Sequence, residues 1–152
     1  DSPHFPLPQI EMMAIISGIL DKYDLDVWIW YPALDEDYSD PAQVELALKE
    51  WEDVFSRLPR IDVVFVPGGD PGHTAPRVMF PFLEKQTAVL KRHHPDAEMW
   101  LSPQGFTQAW LDALIAILEN RAPAWLSTAG RWCSRGWRTA RTSGCSSRSC
   151  SS

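Results

Sequence analysis

The chain has 152 residues, 45% of them hydrophobic and 22% charged, which suits one domain with its own core. No run approaches the roughly 20 consecutive apolar residues of a membrane span. Residues 131–152 carry five arginines and no acid, while the rest carries 9 basic and 20 acidic residues, a net of −11 within the overall −6; this argues against nucleic-acid binding by phosphate neutralisation and leaves a small-molecule or oligosaccharide substrate open.

Residues 1–8 are proline-rich and extended. Met12, Ile15, Ile16, Ile19, Leu20 and Tyr23 then recur at the spacing of one helical face. The run 25–31 (Leu-Asp-Val-Trp-Ile-Trp-Tyr) is short, β-branched and aromatic, as a strand buried in a parallel sheet should be. A second helix begins after Ser39. Asp40 can cap it, Pro41 fits its first turn and Gln43 can complete a capping box. Val44, Leu48, Trp51, Val54, Phe55 and Leu58 form its apolar stripe. The alternation repeats: strand at 61–66, helix at about 77–94, strand at 97–102, helix at about 107–120 with Leu111, Leu114, Ile115 and Leu118.

Asp26, Asp62 and Glu98 each open a strand at an interval of 36 residues, and Trp28, Val64 and Trp100 follow two residues later. A repeating βα unit implies crossovers and a parallel sheet. The fold class is therefore α/β, a partial (β/α) barrel over residues 1–126 with about three parallel strands and four helices; a flavodoxin-like sheet is the alternative. The αβ joints are short. The βα loops at 32–40, 67–76 and 103–106 are longer, and all three fall at the carboxyl ends of strands, where parallel α/β folds bind ligands.

The loop Pro67-Gly-Gly-Asp-Pro-Gly-His73 is the most specific feature of the chain. Gly68 and Gly69 permit positive φ and let a ligand approach the backbone, and Pro71 stiffens the chain after Asp70. Asp70 is the candidate catalytic carboxylate, with a turn-forming Asp as the alternative. Gly69 and His73 are candidate substrate contacts. Trp30 lies near the strand end and offers an aromatic face to a sugar ring. Tyr31, which alternation sends to the opposite side, is also a candidate substrate contact, and Gln104 can bind a hydroxyl or amide; with Trp30 and His73 they would line a sugar site around Asp70. The acids Asp35, Glu36 and Asp37 read as solvated surface, or as the source of a second glycosidase carboxylate. His93 and His94 sit at a helix end, where they favour the carboxyl terminus rather than ligate metal. No P-loop lysine, GxGxxG motif or metal-ligand spacing is present, so no cofactor is expected.

Strand followed by Gly68-Gly69-Asp70 resembles the Gly-Gly-Asp-Glu motif of family 20-type β-N-acetylhexosaminidases, which are TIM barrels. The run 25–32 likewise resembles segments of α-glucuronidase-like and hexosaminidase-like bacterial glycosidases. The resemblance implies a glycoside hydrolase-like protein acting on carbohydrate, with Asp70 assisting a substrate acetamido group. Pro71 stands where the family has its acidic Glu and has no proton to donate, so the resemblance supplies no general acid. A non-catalytic carbohydrate-binding barrel and a phosphate-binding α/β protein are the rival readings.

After Leu126 there is no Leu, Ile, Val, Met or Phe, and all three cysteines (Cys133, Cys145, Cys150) lie in this stretch. Residues 127–152 read as a disordered or frameshifted tail. The cysteines do not report a redox compartment.

Overall fold

The structure is a computed structural model that describes residues 6–33, 38–68 and 74–128, the side chains of 121–128 excepted. The expectations for Gly69, Asp70, Pro71 and His73, for Asp35 to Asp37, and for the tail from 129 lie outside the described residues.

The elements alternate as expected: α1 (Gln9–Lys22), β1 (Trp28–Trp30), α2 (Pro41–Arg57), β2 (Val63–Val66), α3 (Pro76–His93), β3 (Glu98–Leu101) and α4 (Gln108–Thr128). Local chemistry explains the boundaries. Asp40 accepts a hydrogen bond from the Ala42 amide at 2.9 Å, and Pro41 opens α2 where no amide donor is needed. Pro76 opens α3 in the same way, and three basic residues, Lys91, Arg92 and His93, close it against the helix dipole.

The strands form one parallel sheet in the order β1-β2-β3. Each helix packs on the next in sequence, α1 on α2, α2 on α3 and α3 on α4. Sequential parallel strands with helices in one row are the winding of a (β/α) barrel, and equally of the part of a doubly wound sheet on one side of its switch point. The sheet is open rather than closed. Its two faces differ accordingly. Ile29, Tyr31, Val64, Val66 and Met99 lie buried under the helices. Trp28 and Trp30 on the other face are 52% and 61% exposed.

Two expectations from periodicity are corrected. Cα partners run Trp28↔Val63↔Glu98 and Trp30↔Phe65↔Trp100, so the register between strands is 35 residues rather than 36. The recurring acids do not mark equivalent positions: Asp26 and Asp62 precede their strands, whereas Glu98 is the first residue of β3. A one-residue slip moves a side chain to the other face. Trp28 and Val64 therefore face opposite ways, and Trp28 instead meets Trp100 edge-on, with ring centroids 4.6 Å apart. In α1, most of the face selected by spacing is exposed: Ile15, Ile16 and Ile19 are each about half exposed and Tyr23 more so, while Leu20 packs against the core. The packed face carries Ile10, Met13, Ser17 and Leu20. Ser17 is buried because its hydroxyl donates to the Arg60 carbonyl at 2.7 Å and accepts from the Arg60 amide at 3.0 Å. Those two bonds fix the rotation of a helix that is apolar nearly all round.

Candidate functional site

The carboxyl edge of the sheet is where two βα loops converge. Backbone pairing continues one residue past the strands: the Tyr31 amide donates to the Phe65 carbonyl at 2.8 Å and the Ser102 amide to the Val66 carbonyl at 3.0 Å. Beyond that row each chain turns through a glycine. Gly68 has φ +51 and Gly105 has φ +73. Gly68 is held there by contact as well as by conformation. A Cβ at this position would overlap the Ser102 carbonyl oxygen and lie 3.1 Å from Phe106 Cε1 and 3.3 Å from the Gln104 carbonyl oxygen. The loop that leads to Asp70 thus starts pressed against the loop that carries Gln104. The second loop is braced by its own bonds: the Phe106 amide donates to the Pro103 carbonyl at 3.1 Å, and Phe106 packs edge-on against Trp110.

Among the described candidate contacts, Trp30 and Gln104 are exposed, whereas Tyr31 is buried. Trp30 stands on the open face of the sheet, level with Phe65 and Trp100. Tyr31 points into the helix layer, as alternation along the strand requires. Its ring centroid is 4.1 Å from that of Trp51, and its hydroxyl lies 3.4 Å from the Tyr38 hydroxyl. It ties β1 to α2 and to the end of the first loop. Thr74, where the 67–76 loop rejoins the described chain, is buried.

Glu98 was legible only as a strand-opening acid. In the structure it lies on the open face and accepts a hydrogen bond from the Trp100 indole N–H at 2.7 Å. It sits at the amino end of β3, three residues below Leu101, or about 10 Å along the strand. The separation between carboxyls in glycosidase pairs is at most roughly 9.5 Å. Glu98 is therefore poorly placed to complement a carboxylate beyond the carboxyl edge.

The amino edge holds a different cluster. Arg60 reaches Asp62 at 2.8 Å, Asp24 at 3.1 Å, Asp26 at 3.3 Å and Asp21 at 3.6 Å. The hydrogen bond to Asp62 is the largest of the causes that raise the Arg60 pKa further above its already high value. Partial burial pushes the Asp62 carboxyl up, but hydrogen bonds from Arg60 and from the Val27 amide outweigh it and hold the pKa below the usual value. This network joins α1, the start of β1 and the start of β2, and belongs to the face that parallel α/β folds use for stability.

The paired histidines also have structural partners. A ring nitrogen of His94 lies 2.9 Å from the Phe55 carbonyl, and His93 Nε2 lies 3.6 Å from Glu52. Both connect the end of α3 to α2. Among the described residues, no group of three or more His, Cys, Asp or Glu is arranged to hold a metal, and no helix is long and apolar enough to cross a membrane.

No protein-family model matches the chain, and neither does any curated protein or solved structure.

Proposed function

We infer that the chain is part of a carbohydrate-acting, glycoside hydrolase-like barrel whose ligand site lies at the carboxyl edge of the sheet. The observation that carries this reading is the contact of Gly68 with Ser102, Gln104 and Phe106, which joins the Asp70 loop to the Gln104 loop. Asp70 would orient a substrate hydroxyl or amide. Gly69 would let the ligand approach the backbone, and His73 and Gln104 would hydrogen-bond it. Trp30 would supply the stacking face, and Tyr31 would hold β1 in place from behind. The resemblance of Gly68-Gly69-Asp70 to the hexosaminidase motif supports the substrate class.

Binding without turnover is the second reading. Pro71 favours it, because it occupies the acid position of the motif and has no proton to give. A panel of aryl glycosides with Asp70→Asn as the control separates the two. Turnover that Asn lowers by about 100-fold or more supports a catalytic Asp70. Turnover that Asn leaves intact removes Asp70 from the reaction. Sugar binding with no turnover selects the second reading.

A further inference from the structure

A groove of about 330 Å³ runs between α3 and α4, outside the carboxyl-edge site, with Pro81, Ala113, Ala116 and Ile117 among its lining residues. Arg77 and Asn120 supply its polar groups. The groove exists because α4 turns its small residues toward α3. Ala113, Ala116 and Ile117 follow the helical repeat on one face, while Leu111, Leu114 and Leu118 lie on another. Small side chains leave space between two helices that larger ones would fill.

Arg77 distinguishes this groove from an empty seam. In a body of net charge −11, arginines find carboxylates: Arg57 pairs with Asp53, Arg92 with Glu52, and Arg60 with four aspartates. Arg77 pairs with no carboxylate among the described residues. It is a cation at an apolar groove, in the first helical turn of α3. Asn120 uses one of its two amide N–H donors on the Ala116 carbonyl, at 2.7 Å. The charge complement of such a site is an anion with an apolar body. We propose that the α3/α4 groove binds a small amphipathic carboxylate, its apolar tail along Pro81, Ala113 and Ala116 and its carboxylate on Arg77. The volume sits at the lower end of small-molecule sites, which suits a short-chain to medium-chain acid rather than a long one. An exposed guanidinium forms charge-assisted, bidentate bonds to a carboxylate, which a lysine reproduces only in part.

The test is a titration of the full chain with octanoate, followed by backbone amide NMR, with octanol and octylamine as controls. Octanoate should give saturable shifts confined to α3 and α4, with a Kd on the order of 1 mM or tighter. Octanol and octylamine should bind at least about tenfold more weakly. Arg77→Gln should weaken octanoate by about tenfold, and Arg77→Lys by less. Ala116→Met fills the groove at an exposed position and should abolish the shifts while the remaining spectrum stays that of the folded chain. The proposal is overturned by the absence of saturable shifts, by octanol binding as tightly as octanoate, by octanoate binding unchanged in Arg77→Gln or Ala116→Met, or by shifts that map to the open aromatic face of the sheet. None of these readouts involves Asp70, so their failure leaves the carbohydrate reading untouched.

Discussion

Replacing Gly68 by Ala strikes the joint between the two loops of the candidate site. The residue sits at φ +51, where an L side chain costs about 1–2 kcal/mol. The new methyl would also overlap the Ser102 carbonyl oxygen and crowd Phe106 Cε1 at 3.1 Å. The carbonyl is backbone, so relief requires one of the two loops to move. Overpacking of this kind adds about 1–3 kcal/mol. The sum is about 2–5 kcal/mol, a large part of the 5–15 kcal/mol that typically holds a domain together. For a chain of this length each kcal/mol moves Tm by roughly 2–4 °C, so Gly68→Ala should melt about 4–20 °C lower. Gly105→Ala is the control, because Gly105 shares the positive φ, at +73, but is exposed. Its cost should be the conformational part alone, about 1–2 kcal/mol. Urea unfolding of both variants measures the difference. Equal destabilisation by the two substitutions, or a Gly68→Ala variant within about 0.5 kcal/mol of wild type, would refute the packed joint.

Two further substitutions test the core and the amino edge. Gln86 is fully buried on α3, and neither its amide nitrogen nor its amide oxygen has a hydrogen-bond partner among the described residues. Because such a group costs about 1–3 kcal/mol, Gln86→Met should raise Tm; a lower Tm would show that the amide is satisfied in solution. Asp62 has a folded pKa below its unfolded value, so its contribution to stability is present above about pH 4 and is lost as pH falls through the folded pKa. Asp62→Asn should therefore melt below wild type at pH 7, with the gap closing in acid. A gap independent of pH would assign the effect to packing rather than charge.

The winding of the chain was legible because its signals are local. Strand runs such as 61–66, the Asp40-Pro41 helix start and the α2 stripe each declare themselves within a few residues, and alternation placed Trp30 and Tyr31 on opposite faces. What failed depends on partners distant in sequence. The rotation of α1 is set by Ser17 bonding to Arg60, 43 residues away, and a helix apolar nearly all round gives no local sign of it. The 35-residue register is set by backbone pairing between strands, Trp28↔Val63↔Glu98, which a residue pattern along the chain does not report. Gly68 was identified as a turn residue from its type. That its α-carbon must also clear the Ser102 carbonyl could be known only from the fold. The α3/α4 groove left no motif, since Ala113 and Ala116 read as ordinary helix formers.

The most direct test of the carboxyl-edge site is calorimetry of the full chain with a panel of monosaccharides and oligosaccharides and, separately, with inorganic phosphate, in wild type and in Asp70→Asn. The account predicts saturable binding of at least one sugar, weakened by about tenfold or more in Asp70→Asn, and no comparable binding of phosphate. Phosphate binding without sugar binding, or sugar binding unchanged by Asp70→Asn, would contradict it.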